Sequence, residues 1–470
     1  MPSIASTPVV VLDIGSTRCK AALWRGGESL EVICSLEAPP LSGVDPVREG
    51  DGEQLWEVAN AALETARRAV PAPIQMGLTA QRSSFLVWNA SDGKPVSPLF
   101  SWQDRQAEAW CARHSHLGSM LEAQTGLRLS PHYFAPKLAW LMEQDAAIQK
   151  GLHEGWLRAG TLDSFLLWRW SGGAVFVTDP TMAARTLLMA LGEADWSEAL
   201  LGTFGIPRSA LPTIRPSMGV GTRISEEMTL RAAISDQAAG LIGALGEEQG
   251  ASLVNLGTGG FVLKPTGSAP TQASGYLCGP YCAGPGGMRF ALEGTINGIG
   301  PALDSFGAIA MPSPRLDEPA VFCLPDTAGV GAPYWRPDLP QTYSAPGASL
   351  SAGARRRLFL EGVLFRLLEI VDDLEAGEAG SKIYLAGGMT REPMLATGLA
   401  SLVEAEVRLL DEREATLLGI ARLAAGVSAP GAGASRPVVP DGKLGYLRQR
   451  YPEWRSWMAE LTARSREGNR

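Results

Sequence analysis

The segment Val9 to Trp24 constrains this chain more than any other. It starts as a β-branched apolar run, Val9-Val-Val-Leu12, and breaks at Asp13. It then turns through Gly15, Ser16 and Thr17 and resumes as a second apolar run ending at Trp24. That pattern predicts a buried strand, a tight hairpin and a second strand. A carboxylate at the end of a buried strand is costly unless something pairs with it. The turn behind it offers a glycine, two hydroxyls and several backbone N–H groups, the parts of an anion cradle. Asp13 with this cradle reads as a metal and phosphate site; an Asp that only fixes the turn is the competing reading of the segment.

A chain of 470 residues exceeds one ordinary core, so two or three domains are expected. Apolar residues at 45% and charged residues at 19% describe a soluble globular chain. A net charge of −8 disfavours bulk nucleic-acid binding through phosphate neutralisation, while leaving room for a small anion bound locally. The six cysteines, at 19, 34, 111, 278, 282 and 323, are scattered and read as reduced thiols. No His or Cys cluster completes a zinc site, and His114 and His116 sit in a polar stretch that predicts solvent exposure. No apolar run approaches the ~18 residues of a membrane span. Residues 1–8 lack the basic start and apolar core of a leader, which makes the cytoplasm the default location.

The periodicity predicts strands at 8–24, 28–35, 74–78 and 85–89, and helices at 53–70, 104–124, 136–149 and 161–170. Near residue 236 the pattern restarts. A helix-like run, Asp236 to Gly246, leads into Ala251-Ser-Leu-Val-Asn255-Leu-Gly257-Thr258-Gly259-Gly260-Phe261. This second block echoes the first: an apolar strand, a polar residue, one apolar residue, then glycine with a hydroxyl and a second strand. If the echo is a duplication, two related α/β domains each present a hydroxyl-bearing hairpin, with room for a phosphate chain between them. Further helices are predicted at 355–377, 392–403 and 413–426, a strand at 383–386, a linker over 427–440, and a solvated Arg-rich amphipathic tail beyond it.

Taken in order, several blocks resemble the FGGY family of carbohydrate kinases, and within it the glycerol kinases most. They are Asp13-Ile-Gly-Ser-Thr17, Thr79-Ala-Gln-Arg82, Ser101-Trp102-Gln-Asp104-Arg105, Thr125-Gly-Leu, Lys137-Leu-Ala-Trp140, Asp179 to Arg185, Ser235-Asp236-Gln237, Asn255 to Gly259, Ala291-Leu-Glu-Gly294, Gly331 to Trp335 and Leu385-Ala-Gly-Gly388. The resemblance is colinear over nearly the whole chain. It implies an α/β fold of two actin-like, ribonuclease-H-like domains flanking a catalytic cleft. The expected division is residues 1–235, residues 236–430, and a linker and helical tail over 431–470.

What the resemblance implies chemically is transfer of the γ-phosphoryl group of ATP to a hydroxyl of a small polyol or sugar, with Mg²⁺ as cofactor. Such a transfer needs charge neutralisation on the phosphates and a base for the hydroxyl proton. The family block puts Asp236 in the place of the base; a carboxylate there is also a good helix cap. Asp13 is expected to hold Mg²⁺, directly or through water. Ser16, Thr17 and Thr258 are expected on the phosphates, and Gly300 and Gly388 where the nucleotide approaches the backbone. Lys20 replaces the family's usual Arg, keeping a point charge without the fork. Asp304 stands for the usual Gln and Glu392 for an Asn near adenine, two added negative charges beside the nucleotide.

On the acceptor side Arg82, Trp102, Asp236, Gln237 and Phe261 match glycerol-contacting positions. Two positions depart: Ser83 replaces a Glu, and His132 a Tyr, with Phe134 in place of a small residue. His132 reads either as a substrate contact or as an ordinary surface or core histidine. A site that loses a hydrogen-bonding partner discriminates differently, so a related polyol or a ketose such as xylulose or ribulose is expected to outrank glycerol. Two readings compete with the kinase: a degenerate member that binds sugar or nucleotide without turnover, and an actin-fold ATPase of the chaperone or acetate-kinase type. Retention of Asp13, Asp236 and Thr258 argues against the first, and the Arg82 and Trp102 blocks against the second. A homodimer or homotetramer is compatible with all of these.

Overall fold

The computed structural model describes residues 8–27, 30–314, 320–345, 350–375, 380–412, 414–428 and 431–467. The residues read for a leader, 1–7, and the first two of the strand predicted at 28–35 lie outside them, as do 376–377, 413, 429–430 and the last three of the tail.

Two mixed sheets organise the chain. The first runs Met218–Arg223, Met228–Ser235, Ile74–Ala80, Val9–Ile14, Arg18–Trp24, Leu30–Glu37. The second runs Leu277–Gly284, Gly287–Ile296, Gly260–Gly267, Ala251–Leu256, Lys382–Ala386, Glu406–Leu410, Ser435–Pro437. In each, a hydroxyl-bearing hairpin sits at the centre: Val9–Ile14 pairs antiparallel with Arg18–Trp24 and parallel with Ile74–Ala80, and Ala251–Leu256 pairs antiparallel with Gly260–Gly267 and parallel with Lys382–Ala386. The echo read in the sequence is thus a repeated architecture. The cores are formed by the predicted apolar runs; Val10, Val11, Leu12, Val254 and Leu256 are fully buried.

Register places the chemistry. Ile14 pairs with Ala80 and Ala80 with Ser235. Three parallel strands therefore end level with one another, and Asp13, Arg82 and Asp236 emerge at one rim, where open α/β sheets hold their ligands. A smaller sheet of Glu49–Gly50, Leu99–Phe100, Phe85–Asn89 and Leu157–Thr161 adds a second core to the first half.

Two helices join the halves, Asp236–Leu245 and Ala415–Ala425. They cross where both carry glycine: a Cβ on Gly243 would lie 1.8 Å from the Ala415 carbonyl oxygen, and one on Gly419 1.9 Å from that of Ala239. The backbones touch there, and Ile420 of the second helix packs onto Gly77 of the first sheet.

Several expectations change. The helix predicted over 104–124 is broken into Glu108–Arg113 and Gly118–Thr125. That over 136–149 divides into Phe134–Gln144 and Ala146–Glu154, because Asp145 turns out of the helix and caps the next one through the N–H groups of Ala147 and Ile148. His114 is not free in solvent; its ring stacks on Trp110 with centroids 3.8 Å apart. Within the stretch read as a linker, Ser435–Pro437 forms the edge strand of the second sheet. The tail is no solvated helix either. Tyr446–Glu467 buries Leu447, Trp454 and Met458 completely in the core of the second half, and Tyr446 donates a 2.6 Å hydrogen bond to the buried Glu361.

Candidate active site

The first hairpin turns tightly, with the Gly15 N–H bonded to the Arg18 carbonyl at 3.0 Å, and it leaves Ser16 and Thr17 exposed at the rim. Asp13 Oδ1 is buried and has no hydrogen-bond partner. Burial, then the neighbouring Asp236 charge, push its carboxyl up to about 7, with Lys20 opposing and Glu414 adding to the rise. Two carboxylates close enough to repel, one with an orphaned oxygen, suit a divalent cation that takes one or two carboxylates and keeps water or phosphate oxygens for the rest. Among the described residues no three His, Cys, Asp or Glu side chains gather as a complete ligand set. Lys20 is engaged: its Nζ lies 2.8 and 2.6 Å from the two carboxylate oxygens of Glu414, at the start of the second joining helix.

A second cluster at the rim is built around a residue that no motif position singled out. Glu293, on strand Gly287–Ile296 of the second half, accepts two hydrogen bonds from Arg82, at 2.8 and 3.1 Å, and a third from Arg185. Burial alone would raise its pKa, but Arg185 and Arg82 together pull it down to about 2. Tyr133 lies against the same three groups, and burial raises its phenol. Asp236 opens the helix Asp236–Leu245, and its Oδ1 accepts the Gln237 N–H at 2.8 Å. Burial raises the Asp236 carboxyl and the Arg82 charge opposes the rise, so the acid and the arginine share one space.

Ser83 holds a left-handed backbone, φ 63°, which non-glycine residues adopt only under constraint. Its hydroxyl donates to the Arg185 carbonyl at 3.3 Å and is turned into the protein. His132 is exposed; its Nδ1 donates to the Trp102 carbonyl at 3.0 Å, and the Trp102 N–H donates to Ser84 Oγ at 2.9 Å. Tyr133, one residue on, reaches the Arg82–Glu293 cluster instead. Phe261 stands opposite Asn255 and Thr295 in the second sheet. Glu293 and Arg185 were within reach of the sequence only as members of quoted blocks, and Tyr133 lay in none; nothing in their spacing marked them as a cluster.

The end of the second central hairpin is a meeting of backbones. A Cβ on Gly300 would lie 2.4 Å from the Gly257 carbonyl oxygen, and one on Gly387, at φ +95°, 2.3 Å from that of Leu256. The Gly300 N–H bonds the Thr258 carbonyl at 3.0 Å. Thr258, Gly300 and the Gly387–Gly388 pair thus converge on the end of the second central hairpin. Glu392 does not add free charge there: it forms an ion pair with Arg356 of helix Ala352–Leu374, both side chains mostly buried. Asp304 is exposed on helix Ile299–Phe306.

Two twinned halves, a cleft rim with opposed carboxylates and a glycine-lined backbone cradle define a phosphoryl transferase of the actin-like, ribonuclease-H-like fold. The models of the N-terminal and C-terminal domains of the FGGY family of carbohydrate kinases match residues 8–253 and 253–427. The chain belongs to this family, and is an ATP-dependent carbohydrate or polyol kinase. Glycerol kinase of Methylobacterium nodulans is 32% identical over 444 residues, 88% of either chain. Plasmodium falciparum glycerol kinase, solved with ADP, superimposes with a TM-score of 0.80 at 22% identity, covering 97% of this chain and 98% of the other. Xylulose kinase of Lactobacillus acidophilus does so with a TM-score of 0.80 at 18% identity, covering 97% and 99%. Among the described residues no helix is long and apolar enough to cross a membrane.

Proposed function

We propose that the chain phosphorylates one hydroxyl of a small polyol or sugar at the rim between Asp13 and Asp236, with Asp236 as general base. The acceptor oxygen attacks the γ-phosphorus, its bond to the ADP oxygen breaks, and Asp236 takes the hydroxyl proton. The observation that carries this reading is the position of Asp236. It is a carboxylate at a helix start, raised by burial, within electrostatic reach of Arg82, which would orient an acceptor, and of Asp13. Arg82, Trp102, Gln237, Phe261 and the exposed His132 would bind the acceptor; Tyr133 joins them from the structure. Ser16, Thr17, Thr258, Gly300 and Gly388 would cradle the phosphates, and Lys20 joins them once released from Glu414. Mg²⁺, held by Asp13, would neutralise phosphate charge. Asp304 and Glu392 would flank the base of the nucleotide, Glu392 already balanced by Arg356.

The acceptor is a polyol or ketose other than glycerol. Where glycerol kinases have a Glu, Ser83 is short, uncharged and spends its hydroxyl on the Arg185 carbonyl, so two acceptor hydroxyls lose their shared partner. The test is kcat/KM over glycerol, tetritols, pentitols, xylulose and ribulose. Glycerol outranking the panel refutes the acceptor assignment, and an Asp236→Asn variant with wild-type turnover refutes the base.

A further inference from the structure

The short helix Pro180–Ala183 and the turn Ala184–Thr186 that continues it touch both sides of the site. From one end Arg185 grips Glu293. From the other, Thr181 Oγ1 accepts a 2.8 Å hydrogen bond from the backbone N–H of Ser235, the residue before Asp236. The single proton of the Thr181 hydroxyl is committed elsewhere, to Asp179 Oδ1 at 2.8 Å. The rotor is therefore locked with a lone pair toward Ser235. Asp179 is itself fixed: the same oxygen accepts the Met182 N–H at 3.0 Å, and Oδ2 accepts the Ser217 hydroxyl at 2.6 Å. Asp179, Thr181, Ser217 and Ser235 are all buried. Ser235 lends no side-chain cap to the helix that Asp236 begins, so its backbone is pinned from outside the helix.

We propose that Asp179 and Thr181 are positioning residues for phosphoryl transfer, setting Asp236 by anchoring the backbone one residue before it. This rests on the reading of Asp236 as base. Displacing a reacting group by about 1 Å costs up to ~100-fold in rate, and the Thr181 hydroxyl holds Asp236 at one peptide's remove.

Thr181→Ala and Thr181→Ser differ from each other only by the hydroxyl. Thr181→Ala should lower kcat roughly ten- to hundredfold, with KM for acceptor and ATP within about twofold, and Thr181→Ser should stay within about threefold of wild type. In an Asp236→Asn background the loss of the hydroxyl should cost nothing further, because its effect passes through the carboxylate. Should Thr181→Ala not fold, Thr181→Val, which keeps the volume, is compared with Thr181→Ser in its place. Equal turnover of the hydroxyl-bearing and hydroxyl-free variants overturns the proposal. So does an Asp236→Asn enzyme slowed by the second change as strongly as wild type. Asp236→Asn with undiminished kcat instead overturns the base itself, before Thr181 is changed, and takes the proposal with it.

Discussion

Glu293, from the second half of the chain, forks onto Arg82, from the first, through hydrogen bonds of 2.8 and 3.1 Å. The carboxylate is nearly inaccessible and a second guanidinium, that of Arg185, closes on it. Neither arginine is free to swing, so an acceptor bound there as proposed would meet a preset face in place of two flexible cations.

Glu293→Gln leaves two buried guanidinium groups short of an anion and should destabilise the protein by about 3 kcal/mol near neutral pH. The pH dependence follows from the Glu293 carboxyl lying near 2 when folded and 4.5 when unfolded. Between those values the unfolded chain binds the proton that the folded chain refuses, so the stability Glu293 contributes is whole above 4.5 and is lost as pH falls toward 2. Urea unfolding of both proteins should show a constant gap from pH 8 to about 5 that narrows below about 4.5. A gap independent of pH down to the acid transition would show that the pair carries no such linkage.

Asp13 poses the opposite case, a carboxyl with one buried oxygen that has no hydrogen-bond partner. Asp13→Asn should raise the melting temperature in chelator by a few degrees, since it removes the burial and Asp236 repulsion that push this carboxyl up, on the order of 1–2 kcal/mol. The same variant should lose the further rise that Mg²⁺ with ADP gives the wild type. Differential scanning fluorimetry with chelator, ADP, and ADP with Mg²⁺ reads both. A variant that is less stable in chelator, or that keeps the Mg²⁺ increment, takes Asp13 out of the metal site.

The strands, the twin hairpins and the hairpin carboxylate Asp13 were legible because alternation and turn chemistry are local signals, whereas Arg82 and Asp236 were named only through the family resemblance. Apart from the helix break at Asp145, a local cap, these misreadings come from tertiary contact. The tail reads as solvated because its arginines dominate its composition, yet Leu447, Trp454 and Met458 share one face that the helix Ala352–Leu374 and its neighbours cover. Glu392 reads as added charge because Arg356, far back in sequence, is what neutralises it. The Glu293 cluster draws on positions 82, 133, 185 and 293, whose separations carry no period.

If Glu392 flanks the nucleotide as proposed, the Arg356–Glu392 pair sets the charge there. Arg356→Gln leaves a mostly buried carboxylate unpaired, and should weaken ADP binding roughly tenfold by calorimetry. Adding Glu392→Gln should recover most of that loss, because the offending charge goes with its partner. Failure of the double variant to recover would place Glu392 away from the base, with Arg356 acting through packing alone.

The crossing of Gly243 over Ala415 fixes how the helix begun by Asp236 meets the helix begun beside Glu414. A methyl at Gly243 would stand 1.8 Å from the Ala415 carbonyl oxygen, and one at Gly419 1.9 Å from that of Ala239. Backbone cannot yield as a side-chain tip does, so the helices must part. Gly243→Ala should cost about 3 kcal/mol or more, although alanine is the better helix former at an open position. Parting the helices also shifts Asp236 and loosens Glu414 on Lys20, so the folded fraction should lose kcat. Gly205→Ala offers no control, as its φ of +66° adds strain of its own. Gly202→Ala does, because it lies in a helix with open space where the Cβ would go. That variant should match or exceed wild-type stability in thermal unfolding. Gly243→Ala melting within about 1 °C of wild type would mean that the two helices slide freely and that their crossing does not hold the rim.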